Sequence, residues 1–317
     1  MKRKLGNTGG FSLIELSVVI LIVGILIIGI TKGSRILGES KIKSARALTA
    51  GSSVNAIPDL MMWLDATSEK GFIANERVDG GAISNWYDVN SQKNTSNNVG
   101  QNSSGSKPTY VSQAINGLPA IRFDGINDYL SSALASSSSV DLPIGNSPRT
   151  LFVVLGNAAP NTNSWNFVFH YGTQSQDDRT FDFSACFTQG SNPNTVSLHM
   201  WDTEYVSGKI ICDSKKYVVA VTYKGVSGNS TANNISIHVN GVFTADNVAI
   251  SRTDNVTGSN APLTLNTTSN NLCIGSMDSG SLPFKGDVGE VIMFGRRLSD
   301  AERTSVESYL KQKWGIQ

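Results

Sequence analysis

Tyr217-Val218-Val219-Ala220-Val221-Thr222-Tyr223 and, further along, Ile235-Ser236-Ile237-His238-Val239-Asn240-Gly241 carry the most structural information in this chain. The first segment is apolar at odd and even positions alike, as an inner strand covered on both faces must be. In the second, odd positions are apolar and even ones polar, which predicts a half-exposed strand. Asn240-Gly241 follows at once, and both residue types accept the positive φ that a two-residue hairpin turn demands. Around this pair the pattern repeats. Residues 60–64, 120–123, 151–155, 166–170, 179–187, 196–201, 272–274 and 288–294 are short strand-like runs separated by Gly, Asn and Ser. Many strands, few helices and frequent turns predict a β-sandwich. One helix closes the segment. Ser299-Asp300-Ala301-Glu302 has the form of a capping box, Val306, Tyr309, Leu310 and Trp314 follow at helical spacing, and Gly315 ends it.

The opposite end of the chain has different chemistry. Met1-Lys2-Arg3-Lys4 is basic. Gly9-Gly10-Phe11-Ser12-Leu13-Ile14-Glu15 leads into an apolar run that reaches Ile30 with Glu15 as its one charge. A run of 20 residues spans about 30 Å as a helix, the thickness of a bilayer core. A carboxylate inside such a run is costly and usually functional. The arrangement resembles the N-terminus of type IV prepilins and pseudopilins. The resemblance implies cleavage after Gly10 by a prepilin peptidase and methylation of the new Phe11 amine. It also implies pairing of that amine with the Glu15 carboxylate of a neighbouring subunit during fibre assembly. The expected order is a leader over residues 1–10, a membrane and assembly helix over 11–57, and a large domain over 58–317. Pro58 marks the boundary, because the residue before proline avoids the helical region.

Four stretches of the large domain resemble the laminin-G-like, concanavalin A-like jelly-roll superfamily. They are Met62-Trp63-Leu64-Asp65-Ala66 with Trp86-Tyr87-Asp88, the segment 116–130, His238-Val239-Asn240-Gly241, and the segment 284–315. The fold expected is therefore mainly β: a long N-terminal membrane and assembly helix, then a concanavalin A-like jelly-roll sandwich with a C-terminal helix.

The formal charge is +1, and losing Lys2, Arg3 and Lys4 with a leader would take it to −2. No basic stripe follows residue 58, so nucleic acid is not an expected partner. Sugars are held by amide and acidic side chains with an aromatic platform. The candidates are Asp124, Asn127 and Asp128, with Trp165 and Trp201 as platforms beside polar loops. Calcium is the cofactor such a site would take, with Asp124, Asp128, Asp278 and Asp287 as oxygen ligands. The same turn residues also explain themselves as turn formers, and that account is preferred. Asp202 and Glu204 fall on one face of an extended segment, but the fuller acidic pattern of a glycoside hydrolase is absent, so no enzymatic activity is expected. Asp177, Asp178 and Asp182 read as a solvated acidic edge. His170, His199 and His238 read as outward strand positions. One pair among Cys186, Cys212 and Cys273 could oxidise, and the sequence does not choose it.

The resulting expectation is a minor pilin or pilin-like fibre subunit whose lectin-like head adheres to glycans or surfaces. It would be single-pass in the bacterial inner membrane with a cytoplasmic N-terminus before assembly, then periplasmic or in an extracellular fibre. Its partners would be other pilin subunits, the prepilin peptidase and a glycan or host-surface ligand. A pseudopilin of a type II secretion-like system is the alternative, and a surface glycan hydrolase a more remote one.

Overall fold

The computed structural model describes residues 12–136, 140–160, 165–174, 179–187, 194–200, 204–226, 234–244, 248–249 and 264–317. At 29–35, 187, 204–210 and 248–249 only the backbone is described. The chain divides into two compact units, Met1–Lys43 and Ser44–Gln317.

The first unit holds most of helix α1, Leu13–Ala50. Its apolar side chains from Leu13 to Ile28 point in every direction and are exposed. Among the described residues no helix is long and apolar enough to cross a membrane. The expected membrane-spanning helix and inner-membrane location are corrected accordingly. The helix opens on Glu15, a charge that a hydrocarbon core penalises. The later turns carry Glu39, Lys41, Lys43 and Arg46.

The second unit is built of strands β1 (Leu60–Asp65), β2 (Gly81–Ala82), β3 (Asn85–Trp86), β4 (Val99–Gly100), β5 (Thr109–Ile115), β6 (Leu118–Asp124), β7 (Leu130–Ser131), β8 (Arg149–Gly156), β9 (Phe167–Gly172), β10 (Thr180–Phe187), β11 (Thr195–His199), β12 (Glu204–Ile210), β13 (Lys216–Tyr223), β14 (Ile235–Val239), β15 (Val242–Phe243), β16 (Val248–Ala249), β17 (Cys273–Ile274) and β18 (Lys285–Phe294), closed by helix α2 (Asp300–Trp314). They form two antiparallel sheets. The first runs β15-β14-β13-β8-β18-β6-β5-β2, with β1 also on β18. The second runs β16-β12-β11-β10-β9-β17-β7-β4-β3. Strand β18 is long enough to pair with β8 along one edge and with β6 and then β1 along the other.

The largely apolar β13 lies between β8 and β14, and all but its first residue are buried. Strand β14 was expected to show water its polar face, yet His238 is buried. The reason is α2, which packs against β13 and brings Arg303 close enough to act on the His238 charge. The hairpin after β14 has Asn240 and Gly241 at φ 53° and 83°. Helix α2 has the full capping box between Ser299 and Glu302 and a left-handed Gly315 at its end. Gly289 faces the Trp314 ring so closely that a Cβ would stand 2.8 Å from it.

Candidate functional site

The expected acidic turn is a self-contained structure. The Asp124 carboxylate accepts from the Ile126 and Asn127 amides at 2.7 and 3.3 Å, and Asp128 accepts from the Asp124 amide at 3.0 Å. Asn127 donates to the Gly105 carbonyl at 2.9 Å. Burial and the nearby Asp124 charge push the Asp128 carboxyl up to about 6. Asp287 takes a bidentate ion pair from Arg122 at 2.7 and 2.9 Å, plus a bond from Asn157. Asp278 accepts from Asn271. Among the described residues no three His, Cys, Asp or Glu side chains group so as to hold a metal ion. Glu15 sits in the first turn of α1, where its carboxylate accepts from the Ser12 amide at 2.8 Å. Gly10, Phe11 and Trp201 lie outside the described residues, as do Asp177, Asp178 and Asp202.

A second constellation joins residues that the sequence keeps far apart. Tyr171 on β9 and Phe181 on β10 point into the sandwich, where both rings lie against the guanidinium of Arg149 on β8. Successive side chains on a strand alternate faces, so His170 and Asp182 point the other way. The register lines them up across the second sheet: Ser131 opposite Cys273, Cys273 opposite His170, His170 opposite Asp182, and Asp182 opposite His199. Glu204 of β12 takes the next register position. One oxygen of Asp182 meets His170 Nδ1 at 2.7 Å, and the other meets His199 Nδ1 at 3.3 Å. Burial pushes the Asp182 carboxyl up, but the two imidazoles together outweigh it and hold the group below the usual carboxylate range.

Aromatic rings border the row at its His199 end. Trp165 stacks on Phe167 with planes 7° apart and centroids 5.6 Å apart. Its ring meets His199 edge-on at 4.7 Å, and Phe167 meets the same imidazole at 5.5 Å. The His199 side chain keeps about 10% of its surface exposed, whereas His170 and Asp182 are fully buried. Trp165, expected as a platform, therefore stands beside the row. Asp182, expected at a solvated edge, lies at its centre. No stretch of sequence announces this row, because its members meet only through strand pairing. The available hint is His170 inside the apolar β9 and Asp182 as the single charge of β10.

A third cluster fastens α2 to the sandwich. The Lys313 ammonium reaches Asp65 and Glu290 at 2.8 Å each. Glu290 also accepts from Trp63 Nε1, Tyr309 Oη and Trp314 Nε1. Burial raises the Glu290 carboxyl, against the pull of Lys313. Thus Trp63, Asp65, Glu290 and Trp314, drawn from the stretches that carry the family resemblance, serve as a structural lock. A cleft of about 320 Å³ opens beside it, lined by Arg46, Thr49, Trp63, Asp65 and Glu69. Two of its charged groups are already held, Arg46 by Thr67 and Glu69, and Asp65 by Lys313 and Thr67. Cys186 and Cys212 form a disulfide, and Cys273 is a buried thiol pushed up to about 11 chiefly by burial.

No protein-family model matches the chain, and no curated protein matches it. Solved structures similar to it include a Trypanosoma rangeli sialidase in complex with sialic acid, at 15% identity and TM-score 0.47, over 81% of this chain and 33% of that one. An arabinofuranosidase complexed with arabinofuranosyl-alpha-1,2-xylobiose is similar at 14% identity and TM-score 0.49, over 73% of this chain and 51% of that one. The carbohydrate-binding module CBM40 of a Ruminococcus gnavus IT-sialidase, bound to alpha2,3 sialyllactose, is similar at 16% identity and TM-score 0.39, over 59% of this chain and 96% of that one. This chain thus spans about a third of the sialidase it resembles. The similar structures are β-sandwich folds of carbohydrate-binding or glycan-cleaving proteins. The expectation that the chain is not an enzyme is corrected: the solved structures similar to it include a sialidase and an arabinofuranosidase.

Proposed function

We propose that this chain is a carbohydrate-binding β-sandwich head carried on a pilin-like assembly helix. The observation that carries the binding role is the Trp165–Phe167 stack beside His199 and Asp182 on the outer face of the second sheet. Sugar sites join an apolar ring to a few fixed polar groups, and this face has both. The intact protein on a glycan array, with calcium and with a chelator, tests the role. Binding to a defined set of sugars that falls at least tenfold in Trp165→Ala supports it, and uniform silence overturns it. Release of reducing ends in the same wells scores cleavage of the bound glycan.

The assembly role draws on a separate observation. The apolar side chains of α1 from Leu13 to Ile28 are exposed on all sides, with Glu15 at the start. Such a surface requires cover, and helices of other subunits would supply it, with Glu15 answering a neighbour's Phe11 amine. Mass spectrometry of sheared surface fibres tests this. N-methylated Phe11 in the fibre fraction supports a displayed subunit acted on by a prepilin peptidase. Processed chain found only with the cell body favours a pseudopilin, and an intact Met1 terminus overturns both.

A further inference from the structure

We propose that the side chains of Lys313 and Asp65 condense to an amide inside the folded chain, with Glu290 carrying the protons. The bond joins α2 to β1, and the ion pair described above is the arrangement that precedes it. The inference does not depend on the ligand proposed for the head.

The three groups that such a reaction needs meet in one dry place. Lys313 supplies the amine and Asp65 the carbonyl carbon. The Lys313 Nζ lies 2.8 Å from Asp65 Oδ2 and 2.8 Å from Glu290 Oε2. The side chains of Lys313, Asp65 and Glu290 are 0%, 1% and 0% exposed. The third ammonium hydrogen has Tyr309 Oη at 3.2 Å, and the Tyr309 and Trp314 rings wall the nitrogen in. In water, hydration holds an ammonium and a carboxylate as ions. Here that hydration is gone, and condensation discharges two buried charges. The fold also holds amine and carboxylate together, so no encounter is needed.

The two Asp65 oxygens differ in their surroundings. Oδ1 accepts from the Thr67 amide and from the Thr67 hydroxyl, each at 2.8 Å. Donors on that oxygen stabilise the negative charge that develops there when the carbon is attacked. Oδ2 faces the amine and is the oxygen that leaves. Glu290 is held in place by Trp63, Tyr309 and Trp314. Burial strengthens its hold on a proton, which suits a group that takes one from nitrogen and passes it to oxygen. The reaction starts with a proton moving from Nζ to Oδ2, which leaves a neutral amine and a carboxylic acid. Nζ then attacks Cγ. As the N–C bond forms, Glu290 takes a second proton from the nitrogen and delivers it to Oδ2. The bond from Cγ to Oδ2 breaks and one water departs. Nothing is oxidised or reduced, and Glu290 ends as it began.

The test is tryptic digestion and mass spectrometry of the full chain, shown to be folded by circular dichroism and then denatured and reduced. Trypsin cuts after Arg46, Lys70 and Lys311, and an acylated Lys313 resists it. The expected product is a branched peptide that joins residues 47–70 to residues 312–317, lighter than their sum by one water. Fragmentation should place the link between Asp65 and Lys313. Glu290→Gln, similar in size, should give the two peptides apart, with cleavage after Lys313 restored. If that variant does not fold, Thr67→Val takes its place. It removes the hydroxyl donor from Oδ1, and the joined fraction after a short pulse of synthesis should fall about tenfold or more. Separate peptides from the folded parent, cut after Lys313, overturn the inference. An undiminished yield of joined peptide from folded Glu290→Gln overturns the role given to Glu290.

Discussion

Asp128 shows how burial sets the behaviour of a single side chain. Its carboxyl rises from an ordinary value of 3.8 to about 6. The folded chain therefore holds a proton there that the unfolded chain gives up, between roughly pH 4 and 6. Stability from this group is present below the unfolded value and is lost as pH climbs through the folded one. Asp128→Asn keeps an oxygen for the Asp124 amide and removes the charge. Its melting temperature should exceed that of the parent at pH 7, and the gain should vanish below about pH 4, as calorimetry across pH would show. His238 moves the other way. Burial and the Arg303 charge lower it to about 4, so it stays neutral in the fold. The unfolded chain takes up that proton first, so this contribution is full above about pH 6.5 and declines on acidification towards pH 4.

Individual strands and helices divide into those that local chemistry announces and those that depend on distant partners. Helix α2 belongs to the first group, since capping box, apolar spacing and terminal glycine all lie within residues 299–315. Ser299→Ala should cost about 1 kcal/mol in denaturant unfolding, the usual worth of such a cap. The β14 hairpin is equally legible, because Asn240-Gly241 can do little else. Gly289 is not. Inside an apolar strand it looks like a weakness, yet the approach of Trp314 requires it. Gly289→Ala should lose about 1–3 kcal/mol, because the ring is locked by its bond to Glu290 and cannot retreat. The polar row is hidden for the same reason. Residues 131, 170, 182, 199 and 273 become neighbours only when β7, β17, β9, β10 and β11 take their places. Trp165 could be singled out as an aromatic beside a polar loop, but its partners could not.

Taken whole, the second unit depends on the lock of Lys313, Asp65 and Glu290, which joins its first strand, its longest strand and its last helix. Lys313→Met would leave two carboxylates buried without their cation. A loss of about 3–5 kcal/mol is expected, with earlier unfolding in urea. Replacing Asp65 and Glu290 as well, by Asn and Gln, should recover much of it, because an uncompensated charge is worse than a neutral pair. Reduction of the Cys186–Cys212 disulfide, whose loop encloses β11 and β12, should lower stability by about 2–4 kcal/mol. The position of the lock bears on how the head would take mechanical load. The last turns of α1, which belong to this unit, are fastened to it by Arg46 on the Thr67 carbonyl and by Thr49 on Tyr309. Tension drawn along that helix enters at β1 and α2, on the first sheet. On the function proposed above, the Trp165 face of the second sheet lies away from that entry, so a pulled stalk would strain its own fastening before it disturbed the grip on a ligand.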